Sequence, residues 1–482
     1  MEPRELSLAA ACEAMARGEL AAAELVGSVL RQIERYDPAV NAFITVRPLD
    51  ELLREGERID QRRSRGQRLG PLAGIPVALK DNFATEGLRT TAGSRILSDW
   101  VPGRDAAAVR RLKEADAVVV GKLNLHEFAD GPTNDNLHYG RTENPWAVGR
   151  TPGGSSGGAG AALAADMCLA ALGTDTGGSI RTPAAFCGVV GLKPTYGLVS
   201  RAGVVPFSWT LDHAGPMTRE VRDIGLLLRV IAGHDPEDPG SAPGPPGDPL
   251  DGIERGLDGL VVGTDTGYFQ QMMEPGVRRV LDRAARRIVE LGGDVRAVQL
   301  PTMRAALPAE LAILFPEAAS AHHQHLERHL DEYGEDVRRS LLSGRLYRGV
   351  DYVNAQRVRA RLRRELAEAF RQVDLLLTPT VILEPPVWGQ ETFQVEGRQL
   401  DPLNGLIRCL APFNLSGNPA LSVPYGYGDR GLPVGVQLVG PHFAEPLLLR
   451  AGRALEEDFA PQRRKPPLEL LSAPGAASPR PH

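Results

Sequence analysis

Residues 151–196 read TPGGSSGGAGAALAADMCLAALGTDTGGSIRTPAAFCGVVGLKPTY. Two clusters of glycine and hydroxyl residues stand out, Gly153-Gly154-Ser155-Ser156-Gly157-Gly158 and Gly173-Thr174-Asp175-Thr176-Gly177-Gly178-Ser179. The first runs into the small residues Ala159 to Ala165, which predict a closely packed helix; the second follows the short apolar run Cys168 to Leu172. Glycines at this density let backbone N–H groups converge, because no Cβ blocks the approach and left-handed conformations cost little. Such a point attracts an anion, whether bound or developing during a reaction.

Upstream, the apolar run Ile75 to Leu79 has the character of a buried strand and ends directly on Lys80. Taken alone, such a lysine pairs with Asp81 or Glu86, or snorkels to water. Lysine is rare here, however: five (Lys80, Lys113, Lys122, Lys193, Lys465) among 55 basic residues, so each marks a place where arginine would not serve. Arginine cannot lose its proton in a protein, and lysine can.

Further out, helices are predicted over 20–36, 50–65, 106–114, 223–231, 277–291 and 445–457, with a long helical region over 303–371. Strands are predicted over 117–120, 260–262, 295–300, 375–377, 420–424 and 434–438. This alternation argues an α/β class, with a mixed sheet covered by helices. Residues 235–251 hold six prolines, three glycines and four aspartates, so they read as a surface loop or linker. The tail after Leu471, rich in Pro, Ala and Ser, is expected to be disordered.

The chain has 482 residues and a net charge of −5, without the basic footprint of a nucleic-acid binder. Its first twenty residues lack the pattern of a secretory signal, and no run approaches the length needed to span a bilayer. Cys12, Cys168, Cys187 and Cys409 are too widely spaced for a disulfide framework or zinc pattern, so a reducing cytoplasmic setting is expected.

Three kinds of site compete. His322, His325 and His329 share one helical face, but nothing else completes a metal site. Neither glycine cluster continues as a P-loop or a dinucleotide fingerprint. Nucleophilic catalysis fits better. Gly153-Gly154-Ser155-Ser156-Gly157 satisfies the GxSxG pattern formally, yet no buried strand precedes it. Ser179, behind two glycines, is the better placed serine.

GIPVALKDNF, PGGSSGGAGAALAA and LGTDTGGSIRTPAAFCGVVGLKPTYG together resemble the amidase signature family, with Lys80, Ser155 and Ser179 on its Lys-Ser-Ser triad. The likeness runs from about Pro71 to Glu457, through SWTLDHAGPMTR and APFNLSGNPALSVPYG. It implies a single large α/β/α domain around a mixed sheet (66–471); the helices predicted before it make an N-terminal helical region (1–65), and 472–482 lie outside the domain. It also implies an acyl-enzyme mechanism for amide hydrolysis without cofactor or metal. Ser179 would attack, the N–H groups of Thr176, Gly177, Gly178 and Ser179 would take the developing charge, and Ser155 would pass protons to and from Lys80. Asp175 and Arg181 would brace the loop, and Ser156 would join the same network. At the reference pKa of about 10.4 roughly one lysine in 2,500 is neutral at pH 7, and bringing Lys80 to about 7 requires destabilising its ammonium by roughly 4.6 kcal/mol.

One branch of the family is the glutamine-hydrolysing subunit of the tRNA-dependent amidotransferase. That branch has Asn-Met-Asp-Glu-Phe where this chain has Asn124-Leu125-His126-Glu127-Phe128, and an Asp for the glutamine α-amino group where this chain has Ile407. With an apolar residue there, a zwitterionic glutamine loses its counter-charge. Phe128, Tyr139, Phe207 and Trp209 would instead make an apolar acyl pocket. The reading is a free-standing amidase acting on a small-molecule amide, with no nucleic acid, no membrane and at most a second copy of itself as partner. The amidotransferase subunit is the alternative, and a catalytically silent anion-binding protein is a more distant one.

Overall fold

The computed structural model describes residues 2–243 and 247–472; the expected disorder of the tail falls on residues outside these, apart from its first residue. Its strands are β1 (Phe43–Val46), β2 (Pro76–Lys80), β3 (Val118–Leu123), β4 (Ala170–Asp175), β5 (Val190–Lys193), β6 (His213–Thr218), β7 (Val261–Asp265), β8 (Asp294–Val298), β9 (Leu375–Pro379), β10 (Phe393–Val395), β11 (Arg398–Leu400), β12 (Ala420–Tyr427) and β13 (Pro433–Val439). Eleven of them form one sheet in the order β1-β3-β2-β4-β6-β5-β12-β13-β9-β7-β8, and β10 and β11 make a separate hairpin. Pairing is parallel for β2 with β3 and β4, and for β7 with β8 and β9. The other pairs are antiparallel, as between β4 and β6 and between β12 and β13. The molecule is a mixed α/β fold around a large central mixed sheet.

Near-continuous apolar runs made β2 and β3 legible, and every residue of these two, and of β4 beyond the apolar run Cys168 to Leu172, is buried. β5 (VGLK) and β6 (HAGPMT) were not foreseen, because glycine, proline and histidine give them no strand propensity. They are strands because the sheet places them between β4 and β12. The long helical region divides into Ala306–Ala321, His323–Arg328, Glu335–Gly344 and Gly349–Ala369. Its three breaks fall at His322, which is turned inward, at the turn before Gly334 and at residues 345–348.

One hydrophobic cluster runs without interruption from Leu8 to Leu471. The N-terminal region belongs to it: β1 is the edge of the sheet, and the Asp223 carboxylate accepts the N–H groups of Leu8 and Ala9 at 2.9 Å each. The proline-rich stretch is tied down where it begins. Asp235 accepts the Ser200 hydroxyl at 2.5 Å, and Arg201 pairs with Asp238 at 2.7 Å. These contacts bury both aspartates in a segment expected to be a plain surface loop.

Candidate active site

Parallel pairing of β2 and β4 sets Leu79 beside Leu172, so Lys80 and the second glycine cluster leave the sheet at the same edge. Ligand crevices in α/β sheets form outside such carboxyl ends. Lys80 is fully buried, and its Nζ donates to Ser155 Oγ at 2.7 Å and to Thr174 Oγ1 at 2.8 Å. Its neighbour Asp81 is not its partner, being paired with the equally buried Lys122 at 3.3 Å. Burial pushes the Lys80 ammonium down to about 7, with the Asp175 and Asp212 carboxylates pulling part of the way back. Of the five lysines, Lys80, Lys122 and Lys193 are wholly buried.

Ser155 and Ser156 precede the helix Gly157–Ala164, whose small side chains let it lie close against the sheet. Ser156 joins the two clusters: its N–H donates to the Ser179 carbonyl at 3.1 Å and its hydroxyl to the Thr174 carbonyl at 3.1 Å. Ser179 follows Gly177 and Gly178 in the turn between β4 and the helix Arg181–Cys187. Gly178 has φ +125°, and a Cβ there would lie 2.4 Å from Leu410 Cδ1, so only glycine fits.

Asp175 braces this turn. It accepts Gly178 N–H at 2.8 Å and Ile180 N–H at 3.1 Å, and Arg181 grips both its oxygens at 2.9 Å. Burial alone would raise its pKa, but the Arg181 guanidinium holds the carboxylate well below its usual range. Arg181 also reaches Gln437 Oε1 at 2.7 Å and Asn414 Oδ1 at 2.5 Å, tying the turn to β13 and to the helix Ala411–Ser416. Of the four N–H groups expected to take the developing charge, that of Gly178 is given to Asp175.

Thr176 donates its hydroxyl to Asp212 at 2.6 Å, and Asp212 also accepts the N–H groups of Phe207 and Ser208 at 2.9 and 3.0 Å. Buried Phe207 is thereby held beside the turn. The other three pocket candidates have contacts of their own. Phe128 packs its ring on His322, with centroids 4.4 Å apart. Tyr139 sits beside the end of the helix Ala22–Val40, its carbonyl accepting Asn41 Nδ2 at 2.8 Å. Trp209, expected to line an apolar acyl pocket, is 64% exposed. Its carbonyl is held by Tyr196 and Arg201 while the indole faces solvent. His126 hydrogen-bonds Asp336 at 2.8 Å; burial works against its protonation, but the carboxylate more than offsets this and raises its pKa.

Sequence reasoning missed Thr174 as a Lys80 partner, along with Asp212, Asn414, Gln437 and Glu310. Two of these carried a signal, a lone polar residue in an apolar run: Gln437 in PVGVQLV and Glu310 in ALPAELAILF.

A mixed α/β sheet with a buried lysine on a serine hydroxyl, beside a glycine-rich turn, defines the class of serine-lysine amide hydrolases. A family model described as Amidase matches residues 24–449, and the chain belongs to the amidase signature family of enzymes that hydrolyse amide C–N bonds. A glutamyl-tRNA(Gln) amidotransferase subunit from Moorella thermoacetica is 43% identical over 94% of this chain and 96% of its own length. The solved structure of the corresponding glutamyl-tRNA(Gln) amidotransferase subunit from Thermotoga maritima superposes with a TM-score of 0.81 at 37% identity, covering 95% of this chain and 96% of its own. The native peptide amidase of Stenotrophomonas maltophilia gives 0.82 at 33%, covering 96% and 99%.

These findings overturn the partner expectation drawn from composition. Relatives at about 40% identity are subunits of an enzyme that serves a tRNA, not free-standing chains confined to small molecules or to a second copy of themselves. Net charge speaks only for the chain that carries it, and one chain of an assembly can leave nucleic-acid contacts to the others. Among the described residues, no helix is long and apolar enough to cross a membrane.

Proposed function

We propose that this chain is the glutamine-hydrolysing component of a glutamyl-tRNA(Gln) amidotransferase-type assembly, releasing ammonia for a partner chain in the cytoplasm. The observation that carries this reading is the 43% identity over nearly the full length of both chains. The compartment is supported by four cysteines that are all free thiols.

In the proposed reaction Lys80, neutral, draws a proton from Ser155, which takes one from Ser179 as the Ser179 Oγ attacks the amide carbon. The carbonyl oxygen becomes an oxyanion facing the N–H groups of the Thr176–Ser179 turn. As the C–N bond breaks, the proton returns from Lys80 through Ser155 to the nitrogen, and ammonia leaves. Water then attacks the acyl-enzyme by the same relay, freeing glutamate and restoring Ser179. Two observations support this division of roles: the short Lys80–Ser155 hydrogen bond, and burial that lets an amine serve as base at neutral pH.

The test is ammonia release from glutamine by the purified chain, alone and with partner subunits plus charged tRNA, with Ser179→Ala as control. Glutamine turnover that Ser179→Ala abolishes is the expected result. Turnover of aryl or aliphatic amides with glutamine untouched under both conditions would overturn the reading.

A further inference from the structure

Glu310, on the helix Ala306–Ala321, is fully buried, and neither carboxyl oxygen has a hydrogen-bond partner among the described residues. The other buried carboxylates around the site are engaged: Asp175 by Arg181, Asp212 by Thr176, Glu445 by the Thr195 N–H at 2.7 Å. Glu310 instead faces the reaction turn. A Cβ placed on Gly177 would stand 3.1 Å from its Oε1 and 3.6 Å from Ile407 Cδ1. The unpartnered carboxyl, Ile407 and the residue two positions before Ser179 therefore border one small volume.

Leaving such a group unsatisfied is costly, so a buried carboxyl without a partner calls for an explanation, and its place beside the reaction turn is where a substrate group would meet it. Burial raises the Glu310 pKa well above the usual carboxylate range, and Arg181, Arg359 and Lys193 only partly counter this against Asp175. A cation entering the volume would supply the missing partner and draw the carboxyl into its charged form.

We propose that Glu310 is the specificity residue that receives a protonated amine on the acyl part of the substrate, replacing from another helix the counter-charge that Ile407 does not provide. This rests on the glutamine reading, in which the amine is the α-ammonium, a few bonds from the carbon that Ser179 attacks. Ile407 then packs against the substrate's methylene chain.

The experiment is calorimetric titration of the Ser179→Ala protein, with and without the isosteric Glu310→Gln change, using L-glutamine and glutaramate, which lacks the α-amino group. Glutamine affinity falls about tenfold or more in the double variant, the loss of one charged hydrogen bond, while glutaramate moves less than about twofold. Equal losses for both ligands, or none for glutamine, overturn the inference while leaving the glutamine reading in place. If glutamine does not bind Ser179→Ala but butyramide does, the glutamine reading falls. Glu310 is then judged on 4-aminobutyramide against butyramide: a preference for the amine that Glu310→Gln removes upholds it, and no preference overturns it. Binding of none of these ligands overturns both.

Discussion

Lys80 must be deprived of water and yet kept on its hydrogen-bonding path, and its surroundings do both. No atom of it reaches solvent, while Ser155 and Thr174 accept from its Nζ. Arginine at this position stays charged at any accessible pH and is too broad for the same two acceptors. Lys80→Arg is therefore expected to lose about 10³-fold or more in glutaminase turnover while keeping its circular dichroism spectrum, in line with removal of a general base. The pH dependence follows from the same burial. Only the neutral amine accepts a proton, and its fraction grows as pH rises through a pKa of about 7. kcat/KM should thus climb through that region and level off above it. A profile flat between pH 6 and pH 8 would remove Lys80 from the role of base.

Between β4 and the helix Arg181–Cys187, the nucleophile turn is held by one buried ion pair with several dependants. Asp175 fixes two N–H groups of the turn, and Arg181 carries the contact on to Gln437 and Asn414. Arg181→Met leaves a carboxylate buried without its cation, a change that costs about 3–5 kcal/mol in other proteins. A matching fall in the urea midpoint is expected, together with reduced turnover in the protein that remains folded. An unchanged midpoint would mean that Asn414 and the backbone donors suffice to hold Asp175. At this scale the apolar strands β2 and β3 and the small-residue helix Gly157–Ala164 were readable, because buried strands and tight helices have local patterns. The strands β5 and β6 were not readable, since neighbouring strands and not their own residues make them extended.

Across the whole molecule, the sheet is continuous from β1 near the N-terminus to β8, and the core shows no gap near residue 65. We propose that residues 2–472 unfold as one unit, the N-terminal helices included, although motifs place the family domain from 66 onward. Calorimetry of the intact chain should show one transition, and removal of residues 1–65 should yield insoluble protein, because it strips β1 from β3 and leaves the β3 edge at Gly121 to Leu123 unpaired. Two resolved transitions, or a soluble active fragment, would instead make the N-terminal region a separate domain.

The sequence by itself determined the family, the α/β class and the candidacy of Lys80, Ser155 and Ser179, because glycine clusters, buried strands and a lone lysine are local features of the chain. It could not determine what comes near what across a long sequence separation. That Thr174 shares Lys80 with Ser155, that Asp175 takes the Gly178 N–H, that the Trp209 indole faces water and that Glu310 stands at Gly177 were decided by the order of strands in one sheet and the helices packed on it. The physical reason is that backbone conformation and periodicity act over a few residues, whereas burial and charge pairing depend on the tertiary neighbours that the fold brings together.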